Sequence, residues 1–370
     1  MKNKKKIKFL LIGPLAPPIG GARVLFRQIL NELQKWENFE ITVIRTWHPE
    51  KNKLSKIIFV FKTLPIIIFG IRRSELIAIF SSSKGTLLFS PIIHLVSRFF
   101  KKSWILRQFG GGLDLVYKKL PKWRKEIFKR TILAADLCLF ETKQLVCFFK
   151  NISAVSNVKW HPNCRLITKN NVLPKRIRCR RFIFLGKVKS TKGIKEIIIA
   201  SKYIKEAIRI DIYGPLQEGI TIQSFKNKSK VQYCGQLPVN KVINTLMTYD
   251  ALLLPTYYEG EGYPGVILEA YSVGIPVIST NWRAIPEIVD ETSGFLIEPR
   301  DSKSLALSMK KLIDNDYLYR QLCKGALRKQ KNYSIEYWTN KFMEYLMELI
   351  DQNYYKVENK HNEAKSSKAI

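Results

Sequence analysis

The stretch from Leu254 to Thr280, LPTYYEGEGYPGVILEAYSVGIPVIST, constrains the fold more than any other part of the chain. Residues 251–254 with Pro255 read as a buried strand ending in a loop, 266–273 as a helix, and 275–278 as the next strand. Such a unit joins parallel strands, and open parallel sheets bind ligands in the crevice beyond the carboxyl ends of their strands. Two carboxylates, Glu261 and Glu269, stand there with seven residues between them. If the passage is helical throughout, it covers about 12 Å, roughly the reach from a nucleotide's ribose to a sugar on its diphosphate. The pair reads either as two acceptors gripping both ends of one ligand or as ordinary exposed carboxylates at a helix end.

The same alternation runs through the chain twice, which reads as α/β with mainly parallel sheets. In the first half, strands are expected at 7–13, 39–44, 76–81, 103–109, 137–140 and 155–160, with helices at 21–33, 54–71, 87–100 and 121–133. A second series places strands at 182–186, 208–213, 231–233, 251–254, 276–279 and 295–297, with helices at 193–207, 238–247 and 302–313. With 370 residues and 46% hydrophobic content, the chain can bury two cores. The expected division is a first domain over 1–165, a linker over 166–180 and a second domain over 181–333. The linker is placed in a basic, polar stretch broken by Pro174. A long aromatic helix follows over 334–356, with Tyr337, Trp338, Phe342 and Tyr345 as its buried stripe, and the polar residues 357–370 are expected to be disordered.

Charge narrows the partners. The formal net charge is +33, from 63 Lys and Arg against 30 Asp and Glu. Three readings of it stand: a compositional bias, a nucleic-acid partner, or an anionic membrane surface. Residues 51–73 and 90–102 mix basic side chains with apolar runs such as Ile57–Phe61 and Ile66–Phe69, none of which reaches the roughly 18 residues of a membrane span. Basic amphipathic helices lying on a membrane are therefore the favoured reading, and no nucleic-acid module accompanies the charge. Six scattered cysteines without a CxxC pair fit neither a zinc site nor a disulfide framework, and point to a reducing compartment. The lysine-rich start before Phe9-Leu10-Leu11-Ile12 looks superficially like a signal peptide, but Gly13-Pro14 ends the apolar run at once, so a first strand is expected.

The run EGYPGVILEA, with its E-x7-E spacing and interleaved glycines, resembles the donor-site signature of glycosyltransferase family 4, the group 1 glycosyltransferases. That resemblance implies a GT-B fold, in which two Rossmann-like domains face each other across a cleft and the last helix crosses back to the first domain. Within the signature it assigns Glu261 to donor-sugar hydroxyls and Glu269 to the ribose, with Gly262, Gly265 and Val266 beside them.

Other segments extend the likeness. Paired glycines in Gly13–Gly21, after the first strand, let a phosphate approach backbone N–H groups at a helix N-terminus, although a plain strand-to-helix turn has the same look. The loop lacks GxGxxG spacing, but it is similar to the family's amino-terminal glycine loop, which places Gly20 and Gly21 at the donor. FIFLGKVKSTKG, residues 182–193, is similar to the family's diphosphate grip, which carries over to Lys187 and Lys192. Many members have arginine at the first of these, so Lys187 replaces a two-pronged donor with a point charge. His161, in Trp160-His161-Pro162-Asn163, falls at the expected hinge and reads as structural. One departure is clear. Phe109 stands where many members carry a histidine facing the donor sugar. Gly110, Gly111 and Gly112 follow it and would admit an acceptor or sugar close to the backbone, with Arg107 and Asp114 as candidate acceptor contacts.

The expectation is therefore a retaining, metal-independent glycosyltransferase using a nucleoside-diphosphate sugar, with Lys187, Lys192 and Glu261 as its working groups. No metal or other cofactor is expected. The acceptor would be a saccharide or a lipid-linked sugar for cell-envelope polysaccharide, handled at the cytoplasmic face of a membrane. A non-catalytic partner or membrane scaffold of the same fold is the alternative.

Overall fold

The computed structural model describes residues 6–15, 20–46, 53–152, 157–167, 177–226 and 228–366. Residues 16–19 of the glycine loop, 153–156 at the head of the sixth expected strand, and 168–176 of the expected linker lie outside them.

The first series folds as β1 (Ile7–Gly13), α1 (Gly21–Leu33), β2 (Phe39–Arg45), α2 (Lys53–Arg73), β3 (Leu76–Ser82), α3 (Ser83–Phe99) and β4 (Ser103–Phe109). It continues with α4 (Leu113–Lys118), α5 (Lys122–Ile127), β5 (Leu137–Phe140), α6 (Lys143–Lys150) and β6 (Val158–Trp160). The second series comprises β7 (Arg181–Leu185), α7 (Ile194–Ala200), β8 (Arg209–Tyr213), β9 (Val231–Tyr233), α8 (Val242–Leu246), β10 (Ala251–Leu254) and α9 (Gly265–Ser272). It closes with β11 (Val277–Thr280), β12 (Gly294–Ile297), α10 (Ser302–Asp314), α11 (Asp316–Gln330) and α12 (Ile335–Ser366).

Each series makes one six-stranded sheet, in the orders β2-β1-β3-β4-β5-β6 and β12-β11-β10-β7-β8-β9. Every strand pair is parallel, with Phe9, for example, between Ile41 and Leu76. Side chains alternate faces along a strand, and helices cover both faces of a parallel sheet, so the central strands are apolar without interruption. In β1, Phe9 and Leu11 join the cluster under α1 and α12, whereas Leu10 and Ile12 join the opposite cluster with Ile67, Ile71, Phe89 and Ile93. The strand order reverses at β1/β3 in one sheet and at β7/β10 in the other. These are the topological switch points where open α/β sheets take ligands.

Helix α12 begins in the second series and buries Ile335, Trp338, Phe342, Met343, Tyr345, Leu346 and Leu349 in the core of the first. Tyr337, expected in that stripe, is 57% exposed. It lies five residues before Phe342, roughly 140° round the helix axis, so one narrow face cannot hold both. The helix also runs on to Ser366, past the disordered tail expected from residue 357. Residues 357–366 contain neither glycine nor proline, so nothing in them stops it.

Helices α2 and α3 carry an unusual outer surface. Phe61 (69%), Ile66 (57%), Phe69 (53%), Leu95 (64%) and Phe99 (80%) point outward, beside exposed Lys62, Arg72, Arg73, Arg98 and Lys101. No helix among the described residues is long and apolar enough to cross a membrane.

Candidate active site

Two loops flank the second sheet's switch point, one after β7 and one after β10. The β7 loop turns at Gly193, whose φ of +78° favours glycine and which packs so closely on Pro255 that an added Cβ would lie 2.2 Å from that carbonyl oxygen. This contact brings Lys192 alongside the acidic loop. Its Nζ pairs with Glu261 Oε2, which also accepts from Thr256 Oγ1 at 2.7 Å. Both charged side chains are largely buried, at 14% and 9% exposure. Lys192 also lies 5.3 Å from the Tyr258 ring centroid.

Across from these loops lies the carboxyl edge of the first sheet. The two edges enclose a cleft of about 590 Å³ lined by Gly21, Ser82, Lys84, Phe109, Gly110, Gly112, Glu141, Asn163 and residues 258–263 with Gly265. A second hollow of about 590 Å³ shares Gly21, Ser82 and Lys84 and brings Lys187, from the opposite domain, to Gly20 and Gly21. Gly21 is the first residue of α1, so a helix N-terminus, which favours negative charge, opens onto both spaces. Glu261, Gly262, Gly265, Gly20, Gly21, Gly110 and Lys187 thus line two connected spaces, with Lys192 paired to one of their carboxylates. Val266 sits half-buried against the second core.

Four of the candidate residues are placed otherwise than the sequence implies. Arg107 is fully buried and donates from Nε to His161 Nδ1 at 3.0 Å and from Nη2 to the Pro162 carbonyl at 3.1 Å. It braces the hinge and does not reach the cleft. Asp114 is 3% exposed and is engaged by Arg283 of the second domain at 2.5 Å. At Gly111 a Cβ would lie 1.9 Å from the Glu261 carbonyl oxygen, so the acidic loop packs directly on this glycine. Glu269 is not in the lining of either space, and Arg165 holds it at 2.8 Å.

His161 is structural, as its position implies. Because Arg107 donates to Nδ1, the ring proton sits on Nε2, which donates to the Trp338 carbonyl at 3.0 Å. Burial, reinforced by the neighbouring Arg107 charge, pushes its pKa down to about 3.

Sequence reading passed over Glu141. It follows the apolar strand β5 directly, at the carboxyl edge of the first sheet, and is 4% exposed. Oε2 accepts from the Gly110 amide at 2.9 Å, and Oε1 accepts from the Tyr263 amide of the other domain at 2.7 Å. Burial raises its pKa, a push that Arg107, the two amide donors and Arg165 partly offset. The available signal was a lone carboxylate in LCLFET, ending a strand where ligand sites form. Among the described residues, no three His, Cys, Asp or Glu side chains converge as a metal ligand set.

Parts of the chain are similar to known glycosyltransferases. Residues 169–329 match the family described as "Glycosyl transferases group 1". The putative colanic acid biosynthesis glycosyltransferase WcaL of Escherichia coli (strain K12) is 33% identical over 150 residues, 37% of each chain. The putative teichuronic acid biosynthesis glycosyltransferase TuaC of Bacillus subtilis (strain 168) is 24% identical over 215 residues, 55% of this chain and 53% of that protein. The alignments thus span about a third to a half of the length of these curated relatives. Anabaena Alr3699/HepE, solved with UDP and glucose, superposes with a TM-score of 0.70 at 14% identity, covering 92% of this chain and all of that one. The chain has the GT-B fold.

Proposed function

We propose that this protein is a retaining glycosyltransferase that moves a sugar from a nucleoside-diphosphate sugar to a saccharide or lipid-linked acceptor in cell-envelope polysaccharide synthesis. The observation that carries the reading is the meeting of Lys192 and Glu261 at the switch point of the second sheet, facing the α1 N-terminus across the cleft. In this reaction the bond between the anomeric carbon and the diphosphate oxygen breaks, and negative charge grows on the departing diphosphate. Lys187, Lys192 and the α1 N-terminus supply positive potential for that charge, without a metal. Glu261 accepts hydrogen bonds from donor-sugar hydroxyls, and the acceptor hydroxyl replaces the leaving group on the same face of the ring, its proton passing to the departing diphosphate. WcaL and TuaC are named for colanic and teichuronic acid biosynthesis, which supports an envelope polysaccharide as product.

The outward apolar residues of α2 and α3, rimmed by basic side chains, support peripheral binding to an anionic membrane at its cytoplasmic face. The deciding experiment is a thermal-shift panel of nucleotide sugars, since a ligand that binds only the folded state raises its melting temperature. The selected donor should then yield a product whose anomeric configuration matches the donor's. A panel in which no nucleotide sugar stabilises the protein would refute the reading.

A further inference from the structure

We infer that Glu141 is a positioning residue that sets the register between the two domains, holding the Glu261 loop against the Gly110 turn in the geometry sugar transfer requires. This rests on the glycosyltransferase reading above and adds to it a residue that belongs to neither domain's donor-binding loops.

The argument starts from what a buried carboxylate needs. A charged or polar group removed from water demands partners, and Glu141 finds one amide for each oxygen. The amides belong to different domains: Gly110 N–H directly follows β4 of the first sheet, and Tyr263 N–H lies two residues beyond Glu261 in the second. One rigid side chain therefore ties the two cleft walls at points next to the glycine turn and the acidic loop. Nearby groups reinforce the tie. Asn163 Nδ2 donates to the Tyr263 carbonyl at 2.7 Å, Gly111 N–H to the Gly260 carbonyl at 3.3 Å, and the Glu141 carbonyl accepts from Trp160 Nε1 at 3.2 Å. On the far side of the same turn, Arg283 reaches the Gly111 carbonyl and Asp114. The triple glycine is thus an interlock for the opposite loop, with Glu141 as its anionic pin. A shift of about 1 Å in a reacting group lowers rates steeply, so loosening this pin should act on turnover more than on donor affinity.

The test uses the full chain and two variants. Glu141→Ala removes both acceptors. Glu141→Gln keeps the volume and one acceptor oxygen, and so guards against a variant that merely fails to fold. Hydrogen exchange read by mass spectrometry should accelerate about ten- to a hundred-fold at both Gly110 and Tyr263 in the alanine variant. In the glutamine variant it should accelerate at one of the two amides, with β1 and β11 unchanged in both. With the donor chosen by the thermal-shift panel, kcat should fall about ten-fold or more while the donor KM moves by less than about two-fold. Unchanged exchange at both amides overturns the clamp. A loss confined to KM, or full turnover in Glu141→Ala, overturns its positioning role. If the wild-type protein transfers no sugar at all, the function reading fails, and the exchange measurement still decides the clamp.

Discussion

Arg165, in the chain crossing between the domains, donates through Nε to Glu269 at 2.8 Å, and its Nη1 reaches Asn163 Oδ1 at 2.7 Å and the Cys164 carbonyl at 2.9 Å. The same residue bridges to Ser334, where the chain returns toward the first domain. The second carboxylate of the E-x7-E pattern is therefore anchored to the hinge. Glu269→Ala should destabilise the fold by about 1–3 kcal/mol, the usual loss when a charged hydrogen bond leaves a buried partner unmet. If Glu269 also holds the ribose, donor affinity measured by calorimetry should fall by a similar free energy. Loss of stability with unchanged affinity would confine Glu269 to the hinge.

Lys192→Ala should lower turnover about 10²–10³-fold, by analogy with removing one donor from an oxyanion site. Its ammonium stands against Glu261 in a largely buried setting, where charge acts strongly on a leaving group. Donor affinity should change much less. Steady-state kinetics with the selected nucleotide sugar separates the two, and an effect on KM alone would mean that Lys192 contributes only uniform binding.

Membrane binding should require both charge and the outward apolar residues. Co-sedimentation with anionic vesicles should weaken as salt rises, since each basic side chain contributes about 1 kcal/mol within a Debye length of roughly 8–10 Å. Replacing Arg72, Arg73, Lys101 and Lys102 by glutamine should release the protein, and Phe69→Ser with Phe99→Ser should do so at low salt as well. Donor binding should survive both changes. Equal sedimentation on neutral and anionic vesicles would mean that the net charge of +33 is compositional.

Acid should destabilise the hinge through His161. Its folded pKa is about 3 against an ordinary value of 6.5, so between those pH values the unfolded chain binds the extra proton. Its contribution is complete above about pH 6.5 and is lost as pH falls toward 3, by up to about 1.4 kcal/mol per pH unit. Denaturant unfolding of wild type and His161→Gln at pH 7, 5.5 and 4.5 checks this. The gap between them should shrink as pH falls, because the glutamine does not titrate. A constant gap would contradict the assignment.

Local pattern was enough for the two α/β units. Continuous apolar runs such as Phe9–Ile12 and Ala251–Leu254 became central strands because a parallel sheet is covered on both faces. The short helices α4 and α6, of 6 and 8 residues, and the longer α11 were not marked.

The residues of the candidate site divide along the same physical line. Glu261, Gly262, Gly265 and Lys192 were legible because each belongs to a short contiguous segment beside a strand end, where connectivity alone directs a loop to the sheet's carboxyl edge. What those residues touch was not legible. Glu141 meets Tyr263 across 122 positions, Arg283 meets Asp114 across 169, and Arg165 meets Glu269 across 104. Periodicity and propensity act over a few residues, whereas the fate of a charge depends on burial and on partners that packing brings from the other domain. The sequence alone thus determined the fold and the strand ends that bear the site. Tertiary structure decided that Arg107 braces the hinge, that Asp114 and Glu269 are held by arginines, and that Glu141 stands between the domains, because desolvation leaves each buried charge only the partners its packing supplies.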